Sequence, residues 1–370
     1  LVPNLCGDYS NQAELTGMSV IYGTSILSDD PNTAAVTDAT VVTIENCVEI
    51  CDDNIDNDGD GYIDNFDPDC PGYAPFLCDY KLYQTLLNSG DFVLYEVNTD
   101  PVSFDSLYNL NTNGVISDIN SLAYNPVDGF IYGIGVGAGP YLYRINNLGE
   151  VDNLGLVTGL SGNVWSGGMG SNGEYYVTGS AEILYQVDIN TLVATNIGNT
   201  GFSMADIAVN PVDGQIYGWR HLGGPLYKFD PTDGSSTSIG SSNNRWDKFG
   251  SFYFNAQGDI IAYGGDKNIP ATDQETLVRI DPATGVVTVL GTGPETTAND
   301  GCSCAYGIEL TKAAAPTTVN AGDVFTYTFT VFNRTGAALT DITFNDVLTD
   351  GFLWNTEPEN VTGLTLGATS

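Results

Sequence analysis

The chain has 370 residues, 42% of them hydrophobic, which allows a sizeable core and excludes a disordered polypeptide. Only 15% are charged, yet 46 Asp and Glu against ten Lys and Arg give a net charge of −36. That charge excludes nucleic acid and anionic membranes as partners, because both are bound through basic patches, and it favours small cations.

The composition predicts an all-β protein. Forty-four Gly and 21 Tyr suit short strands and tight turns, and no stretch places apolar residues at helical spacing over three turns. No apolar run reaches the ~18 residues that a membrane span needs, so no membrane insertion is expected.

The cysteines indicate export. There is no Cys-x-x-Cys pair and only one histidine, His221, which argues against zinc and favours disulfides formed in an oxidising compartment. The chain opens without Met, which we interpret as a processed, secreted protein. An odd count predicts one thiol that is free or bonded to another molecule; the seven are Cys6, Cys47, Cys51, Cys70, Cys78, Cys302 and Cys304.

Residues 1–46 form the first predicted segment. They contain two β-like runs, MSVIYGTSI and AAVTDATVVTI, separated by the turn SDDPN. Two strands alone are marginal in water, so they are expected to need a partner sheet in this chain or in a neighbour. We interpret this segment as candidate donor strands.

Residues 47–78 form an acidic segment with cysteines at its flanks. Its core, DNIDNDGDGYIDNFD, has the spacing of a twelve-residue calcium loop, with carboxylates at alternating positions, Gly61 at the sharp turn and Asp67 last. A second register begins at Asp52, so two ions fit the pattern; the alternative is a solvated acidic linker. The predicted Ca²⁺ ligands are Asp52, Asn54, Asp56, Asp58, Asp60, Tyr62 through its backbone carbonyl, Asp64 and Asp67.

This acidic segment resembles thrombospondin type 3 repeats and the short metal-binding motifs of secreted bacterial proteins. The resemblance implies a structural Ca²⁺ site, formed without EF-hand helices, that stiffens a junction between domains.

Residues 79–310 carry an internal repeat. DINSLAYNPVDGFIYGIG and SMADIAVNPVDGQIYGWR share one phrase, and LYRI-type strands follow each copy. Four-stranded units of ~40–50 residues predict a β-propeller, here with five blades, or six if 112–120 or 266–275 contain strands. Strands near residue 94 and the run AYGIEL at 305–310 are expected to complete one blade, with a disulfide from Cys78 to Cys302 or Cys304. The turn asparagines are Asn125, Asn172, Asn210 and Asn255.

Residues 311–370 predict an immunoglobulin-like β-sandwich. DVFTYTFTVFN alternates between two faces, RTGAA is a turn and LTDITFNDVL is the next strand. The run resembles the immunoglobulin-like repeats of bacterial surface proteins. In that family more strands follow, so the sandwich is expected to be partial in one chain.

Other sites are weakly indicated. The Asp-Gly and Asn-Gly pairs of the propeller are expected to be hairpin turns rather than cation sites. His221 lies in a loop, and no G-x-S-x-G elbow accompanies it, so no enzyme is expected. The tryptophans could stack on sugars, although core or rim packing is favoured for the first three: Trp165, Trp219, Trp246 and Trp354.

The domain order resembles that of exported Bacteroidetes-type surface proteins, which implies adhesion or scaffolding. The favoured function is a calcium-stabilised structural protein of the cell surface, a subunit of a filament in which copies join head to tail by β-strand complementation. The alternative is an adhesin propeller that binds surface glycans or proteins. A propeller hydrolase or lyase has the least support.

Overall fold

A computed structural model describes residues 7–11, 14–16, 25–27, 40–44, 49–78, 80–88, 90–111, 118–135, 137, 139–221, 223–242, 245–255, 257–266, 275–305, 308–316, 318 and 323–333. Over these residues the protein is all-β, as predicted, with strands throughout and one 3-10 turn, Asp64–Phe66. No helix among them has the length and apolarity to cross a membrane.

Five four-stranded antiparallel sheets form the blades of a propeller. In four blades the strands pair in chain order, and the first strands contact one another around a central axis. The second blade contains β8 (Asn120–Tyr124), β9 (Ile131–Ile134), β10 (Tyr141–Ile145) and β11 (Val151–Leu156). The third contains β12 (Val164–Met169), β13 (Tyr175–Gly179), β14 (Ile183–Asp188) and β15 (Val193–Asn199).

The fourth and fifth blades repeat this order. The fourth contains β16 (Met204–Val209), β17 (Ile216–Arg220), β18 (Leu226–Phe229) and β19 (Ser236–Ile239). The fifth contains β20 (Trp246–Phe254), β21 (Ile260–Asp266), β22 (Thr276–Ile280) and β23 (Val287–Thr292).

The first blade joins the two ends of the ring. It contains β5 (Leu82–Asn88), β6 (Asp91–Thr99) and β7 (Val102–Asn109) from one end of the propeller sequence and β24 (Asn299–Ser303) from the other. β24 pairs with β5 and takes the inner position. The five blades and the closure by both ends are therefore confirmed.

The predicted position of the closing strand was wrong by several residues. The strand is NDGCS at 299–303, and the last three residues of AYGIEL, 308–310, instead belong to the next strand. The inner strands crowd the axis and need small residues there: a Cβ on Gly301 would lie 2.4 Å from the Tyr253 ring. The bulky Ile308 and Leu310 lack that property.

The turns explain why each repeat becomes a blade. Asn125 and Asn210 accept hydrogen bonds from backbone N–H groups two residues ahead, at 3.0 and 2.8 Å. Gly129 and Gly214, which follow in the same turns, have φ of +78° and +67°, which glycine adopts without strain. The predicted hairpin turns at these positions are confirmed.

Two disulfides are present in the described residues. Cys51–Cys70 spans the acidic segment, and Cys78–Cys304 links the residues just outside β5 and β24, one of the two predicted alternatives. Cys302 is a buried free thiol. Cys6 and Cys47 lie outside the described residues.

The strands before and after the propeller form pairs. β1 (Gly7–Asn11) pairs with β4 (Thr40–Ile44), and β2 (Glu14–Thr16) pairs with β3 (Ser25–Leu27). The end of the predicted donor run thus pairs within its own chain. After the propeller, β25 (Ile308–Ala315) pairs with β26 (Thr326–Asn333), while LTDITFNDVL lies outside the described residues.

Candidate metal site

The acidic segment is folded around its own carboxylates. Asp56 accepts hydrogen bonds from the N–H groups of Gly59 at 2.6 Å and Gly61 at 3.0 Å. Gly59 and Gly61 have φ of +84° and +93°, so glycine is needed at both positions. Asp60 accepts the N–H of Tyr62 at 2.9 Å. The Asp-x-Asp-Gly spacing therefore produces a tight loop whose carboxylates accept hydrogen bonds from the loop's own backbone.

Two groups of carboxylates converge in this loop. One joins Asp58, Asp60 and Asp67, and the other joins Glu49, Asp56 and Asp58; within each group, one oxygen per residue lies within 4.8 Å of the others. Oxygens that bind one Ca²⁺ at 2.3–2.6 Å can be at most about 5 Å apart, so each group has the right dimensions. Asp58 belongs to both.

The oxygens of Asp67 differ in their surroundings. The side chain is fully buried, and Oδ1 accepts the N–H of Asp69 at 2.6 Å. Oδ2 is buried without any hydrogen-bond partner. A buried carboxylate oxygen with no partner is costly, and it is the ligand that a hard cation prefers.

The electrostatics of the groups are unfavourable without a cation. Burial raises the pKa of Asp67, and the charges of Asp60 and Asp58 raise it further. Burial also raises the pKa of Glu49, with the charges of Asp67 and Asp58 adding to the effect. A divalent ion among these oxygens would reverse this repulsion.

Four of the eight predicted ligands lie in the two groups: Asp56, Asp58, Asp60 and Asp67. Asp64 instead accepts the N–H groups of Asp53 and Asn54 at 3.0 and 3.2 Å. Asp52 is exposed and belongs to neither group, and Asn54 is exposed. The ring of Tyr62 contacts Arg144 of the propeller.

Glu49 was missed by the sequence analysis. It is 6% exposed and accepts the N–H groups of Asn57 at 2.8 Å and Asp64 at 3.3 Å, so it fastens the start of the segment to its end. Its only sequence signal is an acidic residue in CVEIC, between two cysteines and beside apolar residues.

An arginine of the propeller attaches the loop to the second blade. The Arg144 side chain, 3% exposed, donates to the Gly61 carbonyl oxygen at 3.3 Å and to Asp152 Oδ2 at 2.8 Å. Its guanidinium lies 4.6 Å from the Tyr62 ring centroid and 4.9 Å from that of Phe66. Cation–π contacts of a desolvated arginine are worth roughly 2 kcal/mol.

Apolar and amide contacts complete this attachment. Phe66 is buried and packs on Phe130 with ring centroids 5.2 Å apart. Asn65 Nδ2 donates to both carboxylate oxygens of Glu150, at 3.1 and 3.0 Å. The Phe76 N–H donates to the Gly129 carbonyl at 2.7 Å. The loop is therefore held against the turns of the second blade.

The other candidates do not form a binding site in the described residues. Trp219 and Trp246 are buried in the core, as the favoured interpretation predicted, so neither ring is accessible to a sugar. Trp165 is half-buried, and its indole N–H donates to the Met204 carbonyl at 2.7 Å. Burial lowers the pKa of His221. Trp354 lies outside the described residues.

A family model for a repeat of unknown function, DUF6923, matches residues 88–306, more than half of the chain. The chain belongs to this family. The match covers nearly all of the five blades of this DUF6923 protein. No curated protein matches the chain.

Several solved structures resemble this family member at a distance. One is a protein of unknown function from Bacteroides thetaiotaomicron, which is 15% identical and has a TM-score of 0.43. The match covers 63% of this chain and 66% of the Bacteroides protein. TolB from Acinetobacter baumannii is 16% identical over 71% and 63%, with a TM-score of 0.41. The match thus spans less than two thirds of these proteins, and likeness at this level bears on neither partner nor activity.

Proposed function

We propose that this protein is a calcium-stabilised structural protein of the cell surface, in which Ca²⁺ fixes the acidic segment against the propeller. The observation that carries the proposal is Asp67 Oδ2, a buried carboxylate oxygen without a partner that belongs to a group of three convergent carboxylates. Oxygen-only ligands in a glycine-containing loop favour Ca²⁺ over transition metals.

The ion would act on the junction between segments. It would offset two of the three negative charges of Asp58, Asp60 and Asp67, close the loop that Cys51–Cys70 already restrains, and set Tyr62 and Phe66 beside Arg144. The two disulfides support export to an oxidising compartment. The proposed role of the ion is structural.

Calcium-dependent unfolding tests the proposal. Excess Ca²⁺ should raise the melting temperature relative to chelator, by an amount that corresponds to about 2.7 kcal/mol per site at a hundredfold excess over Kd. Asp58→Asn, which affects both carboxylate groups, should abolish most of this shift. Asp52→Asn is the matched control, because Asp52 is exposed and outside both groups. An identical shift in both variants would contradict the site.

Assembly into filaments is the finer part of the proposal. The pairs β1–β4 and β25–β26 have only two strands each among the described residues, and two-stranded sheets are marginal in water. Strand addition between copies would complete them. Electron microscopy and sedimentation with Ca²⁺ and with chelator test this, and a monomer at high concentration in Ca²⁺ would refute it.

A further inference from the structure

The axis of the propeller contains two buried acids. Asp206 on β16 and Asp300 on β24 are each 1% exposed. They occupy equivalent positions on the inner strands of the fourth and first blades, where the other three blades have serine. Each carboxyl group lies close enough to the other to act on its pKa. The three serines are Ser121, Ser166 and Ser251.

Five backbone donors converge on these two side chains. Asp206 accepts N–H groups from the third, fourth and fifth blades, and Asp300 accepts them from the second and first. The donors are Gly167 at 3.2 Å, Ile207 at 2.8 Å, Phe252 at 2.8 Å, Leu122 at 3.0 Å and Gly301 at 2.7 Å. Each inner strand contributes one N–H, so the two acids connect all five blades.

Two negative charges on these neighbouring side chains would be costly, because both are buried. Two neighbouring carboxylates in a buried site do not both ionise without a cation, so one proton is retained between them. We propose that Asp206 and Asp300 share one proton and that this acid pair locks the five blades around the axis.

The titratable groups described around the pair are neutral, so they supply no positive charge that could take the place of the proton. The titratable groups that act on it are Cys302 on β24, Tyr175 on β13 and Tyr253 on β20, all buried and neutral at physiological pH because burial raises the pKa of each. The adjoining cavity, lined by residues such as Leu122 and Cys302, has a volume of about 30 Å³. That volume suits one or two waters and excludes a sugar or peptide.

Stability should therefore fall as pH rises. Burial raises the pKa of both acids in the folded protein, so the folded state holds a proton that the unfolded chain releases above its ordinary Asp pKa of about 4. The contribution of the pair is complete below that pH and is lost as pH rises through the folded pKa. Between these values the unfolding constant should increase about tenfold per pH unit from this proton alone.

Denaturant unfolding between pH 5 and 8 in excess Ca²⁺ tests the proposal. In Asp206→Asn or Asp300→Asn the amide N–H replaces the shared proton, so the unfolding constant should rise less steeply with pH than in the unsubstituted protein, by about tenfold per unit. Asn costs an N–H acceptor, but that loss does not depend on pH. Asp259→Asn, on the surface, should keep the original slope. Equal slopes in all four proteins would overturn the proposal.

A second measurement needs no variant. Infrared spectroscopy of the unsubstituted protein at neutral pH should show the C=O band of a protonated carboxyl group, and the band should vanish on unfolding. Its absence would overturn the proposal, since a metal ion or two separate carboxylates would then occupy the axis. Excess Ca²⁺ keeps this outcome distinct from failure of the acidic segment to bind metal.

Discussion

Single residues decide what the acidic segment can bind. Asp67 was predicted from spacing alone, and its burial and missing partner give that prediction a physical basis. Glu49 and the displacement of Asp64 could not be predicted, because the loop folds back on itself through Asn57. Loop spacing predicts a type of site, while the set of carboxylates that converge depends on contacts distant in sequence.

Replacing Asp67 should weaken cation binding. Asp67→Asn removes one charge and one carboxylate oxygen, so Ca²⁺ affinity should fall about ten- to a hundredfold, or ~1.4–2.7 kcal/mol. Calorimetric titration measures the effect. Asp69→Asn is the control: Asp69 is exposed and belongs to neither carboxylate group, so only its charge acts on Asp67 and a smaller loss is expected. A loss of Ca²⁺ affinity in Asp69→Asn but not in Asp67→Asn would contradict the assignment of Asp67 as a ligand.

Cys302 should be chemically silent in the folded protein. It is buried, and burial together with the charges of Asp300 and Asp206 raises the pKa of its thiol. Thiolates react and thiols do not, so alkylation of the Cys302 peptide at pH 8 should require denaturant. Peptide mass mapping before and after denaturation measures this. Rapid labelling of the native protein would show that the axis opens.

At the scale of elements, the repeat gave a reliable prediction of strands and turns. Asn125 and Asn210 mark turns whose geometry is local, so sequence sufficed. The closing strand was misplaced because its position depends on crowding at the axis, where Gly301 meets Tyr253. Arg144 was missed because its partners Gly61 and Phe66 are about 80 residues away in sequence.

The attachment of the acidic segment should depend on Arg144. Arg144→Met removes a buried cation that contacts Asp152, Gly61 and two rings, so stability should fall by about 3 kcal/mol and the segment should become sensitive to protease. Arg279→Met is the control, because its 3.7 Å pair with Asp259 is exposed and worth at most ~1 kcal/mol. Protease cleavage confined to 49–78 would support the attachment; equal cleavage in both variants would contradict it.

For the whole molecule, fold class and blade number followed from the sequence, because a propeller repeats one local unit. The central acid pair did not, since Asp206 and Asp300 lie on different blades and come near each other only when the ring closes. The predicted sandwich and the filament strands remain predictions. They depend on residues outside the described chain or on other copies.

The ring should depend on its closing disulfide. Cys78 and Cys304 are 226 residues apart, so the bond restricts a very long loop in the unfolded chain and should contribute about 5 kcal/mol. Cys51–Cys70, with a separation of 19, should contribute about 3 kcal/mol. Two double variants, one with both Cys78 and Cys304 changed to Ser and one with both Cys51 and Cys70 changed to Ser, allow the comparison. Urea unfolding measures the free energy of unfolding that each loses. A larger loss from the shorter loop would show that strain or residual structure outweighs chain entropy.

The position of Cys78–Cys304 also has a mechanical consequence. Tension between the segments on either side of the propeller would pass directly through this bond and bypass the 226-residue loop that contains the blades. The blades would then experience no stretching force while the disulfide is intact. Force spectroscopy should detect extension of the propeller only after a reductant is added.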